Sequence, residues 1–192
     1  TCSYSFTLDP IKIKDEWVLK EQELKEKKYS KEEIDFMKKD WLLLDAKRLY
    51  IEDSFEFIIK TIGIYSNYKI VEFAVSILIK KLFNFINNVK TNYDLVNDAV
   101  DTLQNCYIIT LENEDYSLGK ILEYVLYNNY FKEKKKLSFI GFLKKHPHDN
   151  DSFIKISFKE LITKDDVVVI LEECVNESII VLNSIKEYFK IY

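Results

Sequence analysis

The sequence predicts an α+β fold built from long helices and short antiparallel strands, and three observations carry that expectation. Gly and Pro number only 3 and 2 in 192 residues, so few breakers interrupt regular elements. Apolar residues recur at spacings of three and four across two long windows, Tyr68–Asn88 and Lys164–Tyr188. Shorter stretches alternate at period two, the pattern of half-buried strands. The chain is 47% hydrophobic and 31% charged, an ordinary globular balance. A chain of this length can bury about 70% of its unfolded surface.

In order, Thr1–Leu8 alternates weakly and ends at Asp9-Pro10, which reads as the tail of a strand. Ile11–Asp45 is charged and helical in character. Trp17, Leu24 and the surrounding Glu and Lys residues fit one exposed helix, and Ser30-x-x-Glu33 is a capping box that opens a second. Phe36, Met37 and Trp41 are placed to anchor that second helix. The segment reads as a solvated decoration with a few packing anchors rather than as a partner-binding insertion.

Ser54–Ile62 puts Phe55, Phe57 and Ile59 on one side, predicting a strand with one well-buried face. Gly63 ends it. The helix over Tyr68–Asn88 aligns Ile70, Ala74, Ile77, Leu78, Leu82 and Phe85 in one stripe. Leu95, Val96, Ala99, Val100 and Leu103 predict a short helical connector. Cys106–Glu112 alternates as a strand.

Leu118, Ile121, Leu122, Val125 and Leu126 then lie on one face of a short helix. Gly119 inside it costs roughly 1 kcal/mol against Ala, so it is expected to permit close approach by another element. A strand ends at Gly141-Phe142, a turn follows at His146-Pro147-His148, and a second strand ends at Phe158. Thr163-x-x-Asp166 caps the last helix. In that helix Val168, Leu171, Val175, Ser178, Leu182, Ile185 and Phe189 form a seam suited to a partner helix, which Tyr68–Asn88 can supply. Ile179, Ile180 and Val181 widen the stripe beyond what one neighbour needs.

Charge and cysteine usage bound the function. Net charge is −4, so the chain as a whole does not attract nucleic-acid phosphates. The densest basic run, Lys132–Lys136 interrupted by Glu133, reads as a solvated loop. Cys2, Cys106 and Cys174 are far apart and lack metal-ligand spacing, which suits a reducing compartment. No apolar run approaches the ~20 residues of a membrane span, and no secretory signal is visible. The chain begins at Thr1 and its sole Met is Met37, which predicts a fragment of a longer polypeptide.

Catalytic equipment is not evident. No Ser/His/Asp set, phosphate-cradling Gly loop or Cys/His metal cluster occurs in the sequence. His146, His148, Asp149 and Asp151 would need further ligands from elsewhere to hold a metal, and a rigid turn is the simpler reading. Glu114 and Asp115 read as helix N-terminal acids rather than a catalytic pair. No catalytic, metal or cofactor-binding residue is assigned, and no cofactor is expected.

The order Glu114-Asp115-Tyr116-Ser117-Leu118-Gly119, amphipathic helix, Phe139-x-Gly141-Phe142 and His146-Pro147 resembles the smaller assembly subunit of archaeal and eukaryotic RNA polymerases. That subunit is related to the dimerising domain of the bacterial polymerase α subunit. The family pattern reads Glu-Asp-His-Thr-Leu-Gly-Asn and Phe-x-Gly-Tyr-x-x-Pro-His-Pro. Tyr116, Ser117, Lys120, Phe142 and Lys145 depart from it. Separately, Phe55-x-Phe57-x-Ile59 with Gly63 and the helix ending in Lys80-Lys81-Leu82 looks like the C-terminal end of the larger partner subunit. The two resemblances together cover about Ser54–Asn88 and Cys106–Tyr188.

The resemblance implies a fused assembly subunit of a multisubunit DNA-directed RNA polymerase, of the kind found in large nucleocytoplasmic DNA viruses. Residues 1–53 would close the larger α-like half and carry the charged insertion, and 54–90 would be its C-terminal strand and helix. Residues 91–104 would connect, and 105–192 would be the smaller dimerisation domain. The two halves, each a small antiparallel sheet with long packing helices, would pair as an intrachain pseudo-dimer and support the two large catalytic subunits in transcription. Fusion would hold the halves at about millimolar effective concentration. Leu118, Gly119, Leu122, Phe139, Phe142, Leu171, Val175 and Leu182 are the expected pairing surface.

The implied partners are the two largest polymerase subunits and small polymerase subunits, with no direct nucleic-acid or membrane contact. The compartment would be the host cytoplasm (a viral factory) or the virion, or otherwise the nucleus. Two rivals stand beside this reading. One is an α+β protein-interaction scaffold unrelated to transcription, and the other is a small metal hydrolase built on His146, His148 and Asp149.

Overall fold

The computed structural model describes residues 1–99 and 103–190, in two compact units, Thr1–Asn67 and Tyr68–Tyr192. Both combine helices with antiparallel sheet, and the fold is α+β. No helix among the described residues is long and apolar enough to cross a membrane.

In the first unit, strands β1 (Cys2–Leu8) and β2 (Tyr50–Ile59) pair antiparallel, and the chain between them folds into a helical hairpin, α1 (Pro10–Glu26) and α2 (Lys31–Leu43). Asp9 caps α1, accepting from the backbone N–H groups of Ile11 and Lys12 at 3.0 Å, with Pro10 at the first helical position. The Ser30–Glu33 capping box is present. The backbone N–H of Ser30 donates to Glu33 Oε2 at 2.8 Å, and Glu33 N–H returns a bond to Ser30 Oγ at 3.3 Å. The backbone N–H of Ser30 and then its hydroxyl, which also donates to Glu33 Oε2 at 2.8 Å, hold the Glu33 carboxyl below the usual range.

The hairpin closes on a small core of Trp17, Leu24, Ile34, Trp41 and Ala46. The two indole rings lie 5.4 Å apart. Most of α1 is exposed, and Trp17 and Leu24 are its two residues buried against α2. Phe36, expected as an anchor, points to solvent, whereas Met37 and Trp41 do pack inward. One turn holds positions 36 and 37 about 100° apart, so only one of them can face α1.

The β1–β2 register pairs Tyr4 with Phe57 and Phe6 with Phe55, placing these rings on one face. Ring centroids are 5.3 Å apart for Phe6 and Phe55, and 4.2 Å for Phe6 and Tyr50. The other face carries Ser5, Thr7 and Ser54, and the Ser54 hydroxyl bonds Thr7 Oγ1 at 2.8 Å. The aromatic face was expected to be well buried, but Phe57 is 64% exposed and Phe55 45%. The period-two pattern identified the strand and its apolar side, and no element of the unit lies over that side.

The second unit opens with α3 (Asn67–Thr91) and a single 3₁₀ turn, Tyr93–Leu95. A four-stranded antiparallel sheet follows, ordered β3–β4–β6–β5 from Val96–Asp98, Cys106–Leu111, Ser152–Phe158 and Leu137–Leu143. Helix α4 (Tyr116–Leu126) precedes β5, and α5 (Lys164–Lys190) ends the fold. Among its described residues, the predicted connector forms no α-helix beyond the end of α3. Leu95 closes the 3₁₀ turn and Val96, paired with Ile109, opens the sheet's first strand, and both are buried. Val100, also assigned to that connector, lies outside the described residues.

Tyr107, Ile109 and Leu111 of β4 and Ile154, Ile156 and Phe158 of β6 share the buried face of the sheet. Against it pack Leu118, Leu122 and Leu126 of α4, and the α5 seam from Val168 to Leu182. Helix α3 completes the same core through Val75, Leu82, Phe85, Ile86 and Val89. Its buried stripe is rotated from the predicted one, for Ala74 and Ile77 face solvent while Val75 and Val89 face inward. A helix apolar on more than half its circumference leaves its rotation to the packing partner. Helices α3 and α5 run antiparallel, with Lys90 Nζ 2.6 Å from Glu172 Oε1 at one end and the Tyr68 and Phe189 rings 6.2 Å apart at the other.

Candidate assembly surface

The candidate site is organised by two glycines, each lying beneath an aromatic ring. Helix α4 starts at Asp115, whose carboxylate accepts from Ser117 N–H at 3.2 Å, the N-terminal role expected of it. Glu114 ties this start to α3, its Oε2 lying 2.7 Å from Lys81 Nζ, and its carbonyl accepts from the Ser152 hydroxyl at 2.8 Å. One turn in, Gly119 faces β5. A Cβ there would stand 2.0 Å from Phe142 Cε2 and 2.2 Å from Cδ2, so the ring occupies the space a side chain would need. The close approach expected of Gly119 is thus made by Phe142.

The second glycine does the same on the opposite face of the sheet. Phe142 pairs with Ile154 and faces the core, whereas Phe139 and Gly141 pair with Ser157 and Lys155 and face away from it. A Cβ on Gly141 would lie 3.1 Å from Phe139 Cζ, so the Phe139 ring leans across the Gly141 backbone. Phe-x-Gly-Phe is therefore a ring–glycine contact followed by a ring that reaches α4. Glu123 locks the arrangement, its Oε1 accepting from Phe142 N–H at 2.9 Å. Tyr116 adds a ring 5.1 Å from that of Phe142.

Of the expected pairing residues, Leu118, Gly119, Leu122, Leu171, Val175 and Leu182 lie in one core, the core that α3 enters. Phe142 is half-buried at its edge. Phe139, on the other face and 40% exposed, is not brought together with them. Residues three apart on a strand point to opposite faces, and the alternation already contained that information.

Helices α3 and α5 also carry exposed apolar side chains. Ile77 on α3 and Ile180, Val181 and Tyr188 on α5 are exposed, with Ile185 at the margin. Ile179, grouped with Ile180 and Val181 in the sequence, is buried, so the widened stripe divides between core and surface. Sequence reasoning did not single out Glu123, and it met Tyr116 only as a departure from the family pattern. Glu123 pairs with Lys120 one helical turn before it, and only the fold brings it to the Phe142 backbone.

His146 and His148 sit on the exposed turn between β5 and β6, with His148 N–H donating to His146 Nδ1 at 3.2 Å. Among the described residues, no group of three or more His, Cys, Asp or Glu side chains is placed to hold a metal ion. The acids at Glu114 and Asp115 are engaged with Lys81 and the α4 N-terminus. What the arrangement can do is pack: it fixes α4 on the sheet and leaves apolar helix surface outside the core. No protein-family model and no curated protein matches the chain.

Proposed function

We propose that the chain is a non-catalytic assembly-platform subunit of a multisubunit DNA-directed RNA polymerase, pairing α-like halves and supporting the two large catalytic subunits. One observation carries the reading. The two short motifs behind the family resemblance, Leu118-Gly119 and Phe139-x-Gly141-Phe142, touch each other through Gly119 and Phe142. Both are also placed where a change of residue type would disturb the packing of α4 on the sheet. The shared core of α3 with α4 and α5 fits the intrachain pairing of a larger-subunit helix with a smaller-subunit domain. Exposed Ile77, Ile180 and Val181 offer apolar surface for further subunits.

In this reading catalysis, metal and template contacts belong to the large subunits. The protein would act in the cytoplasm of an infected cell, in a virion, or in a nucleus. The test is affinity purification of the tagged full-length protein from its native cells, with mass spectrometry of what remains at moderate salt. The expected result is stoichiometric recovery of two very large polymerase subunits, reduced in Gly119→Leu. Recovery of the protein alone, or with companions unrelated to transcription, overturns the proposal and leaves an α+β interaction scaffold.

A further inference from the structure

A groove of about 580 Å³ opens in the second unit beside the end of α4, on the side where β6 passes into α5. We propose that this groove binds an acidic peptide segment of a protein partner, with an apolar side chain of that segment seated on Ile162 and Val169. The proposal rests on the groove alone and stands whether or not the protein belongs to a polymerase.

The first observation is how the backbone presents the lysines. After Leu126 the helix widens into a π-helix over Tyr127–Glu133, and the chain leaves it through bonds from Lys134 N–H to Asn129 O and Lys136 N–H to Tyr130 O, both 2.8 Å. π-helical turns are uncommon and concentrate at functional positions. Lys135 follows in the left-handed region at φ 52°, where Gly or Asn is the favoured residue. The solvated loop expected for Lys132–Lys136 is therefore a shaped turn with a lysine held in a backbone conformation that does not favour it.

The second observation is charge. The Tyr130 hydroxyl donates to Glu173, and Lys134 lies over the Tyr130 ring at 4.1 Å and 3.1 Å from Glu173 Oε2, so this trio satisfies itself. Asp166 is occupied at the α5 N-terminus by Thr163. The side chains of Lys135, Lys136 and Lys159 line the same groove and are exposed; none lies within ion-pair or hydrogen-bond distance of a partner among the described residues, and of the three, Lys136 acts through space on the Asp166 and Glu173 carboxylates. Lysines thus remain in excess on this rim although the whole chain carries −4. The third observation is the floor. Val169 is 54% exposed on α5 and Ile162 is partly buried beside it, giving an apolar seat between charged walls.

A peptide fits this combination better than a nucleic acid does. Glu160, Asp166 and Glu173 lie in the same walls and oppose a continuous run of phosphates. The aromatic lining residues, Tyr130 and Phe158, are buried and offer no face for base stacking. Spaced carboxylates around one apolar side chain meet the lysines and avoid the acids.

The test is fluorescence anisotropy of the full chain with a short fluorescein-labelled peptide carrying Asp and Glu on both sides of a Leu. Its Lys-substituted counterpart and oligothymidine serve as comparisons. The acidic peptide is expected to bind, and about tenfold more weakly to Lys135→Glu/Lys159→Glu. Lys135→Gly separates binding from folding, since it should raise the melting temperature while still lowering affinity several-fold. Absence of binding at low salt, equal affinity for the double variant, or preferential binding of oligothymidine overturns the proposal.

Discussion

Replacing Gly119 by Ala tests whether the α4–β5 contact is as close as described. At an ordinary mid-helix position the change stabilises a protein by about 1 kcal/mol, because Ala is the better helix former. Here the new methyl carbon meets Phe142 Cε2 at 2.0 Å, Cδ2 at 2.2 Å and Cζ at 3.0 Å. Ordinary carbon contacts begin near 3.5 Å, so the ring must retreat by roughly 1.5 Å. The Phe142 backbone cannot follow easily, being paired with Ile154 and bonded to Glu123. The ring must instead swing away from Tyr116 and the core edge.

Overpacking of this kind costs about 1–3 kcal/mol, and the lost ring pair adds about 1 kcal/mol. After the propensity gain, the variant should be less stable by about 2 kcal/mol, lowering Tm by roughly 4–8 °C for a chain of this size. In a Phe142→Ala background the obstacle is gone, and Gly119→Ala should stabilise by about 1 kcal/mol. A double-mutant cycle followed by far-UV circular dichroism in urea therefore yields a coupling of about 3 kcal/mol. A rise in stability on Gly119→Ala in the unaltered chain, or the same effect in both backgrounds, refutes the contact.

Three further outcomes follow from groups with perturbed environments. Thr163 donates to Asp166 through its hydroxyl at 2.7 Å and its backbone N–H at 2.9 Å, which holds the Asp166 carboxyl below the usual range. The resulting stability is present above the unfolded carboxyl value of about 3.9 and is lost as pH falls through the lower folded value. Asp166→Asn should flatten the acid limb of a stability–pH curve, and an unchanged slope would exclude the linkage. Burial, followed by the neighbouring Glu173, pushes the Tyr130 phenol up to about 12. Stability should therefore fall between the unfolded tyrosine value of 10.0 and about 12, because only the unfolded chain releases that proton there, and Tyr130→Phe should remove this loss in alkaline urea melts. Burial likewise pushes the Cys174 thiol up to about 12 while Cys2 is exposed, so native-state iodoacetamide should label Cys2 and spare Cys174. Equal labelling rates, read by peptide mass spectrometry, would count against the buried position.

Elements with a strong local signal were legible in the sequence. The boxes at Ser30–Glu33 and Thr163–Asp166 are settled by residues three apart, and both form. Helix α5 and the strands at Cys106 and Ser152 are long or strongly alternating, and they lie where the periodicity puts them. What was not legible depends on the partner an element meets. Helix α3 is apolar on several sides, so only its neighbours decide that Val75 faces inward and Ile77 outward. Val96 reads as helical until Ile109 is there to pair with it. At the candidate site, Gly119 announced a close approach, but nothing local names Phe142 as what approaches or Glu123 as what holds it there.

The two tryptophans of the chain both lie in the small core of the helical hairpin, and the second unit contains none. Trp17 Nε1 donates to Glu21 at 3.2 Å, and Lys38 and Lys20 stand over the Trp17 and Trp41 rings at 5.5 and 5.8 Å. The protein thus carries its own optical label, confined to one unit. Excited at wavelengths where tyrosine does not absorb, it emits only from the hairpin, and opening of the hairpin exposes both indoles to water and shifts their emission to the red. Circular dichroism instead sums the helices of both units. A separation between the two melting curves, recorded on one unmodified sample, measures how far the hairpin unfolds on its own.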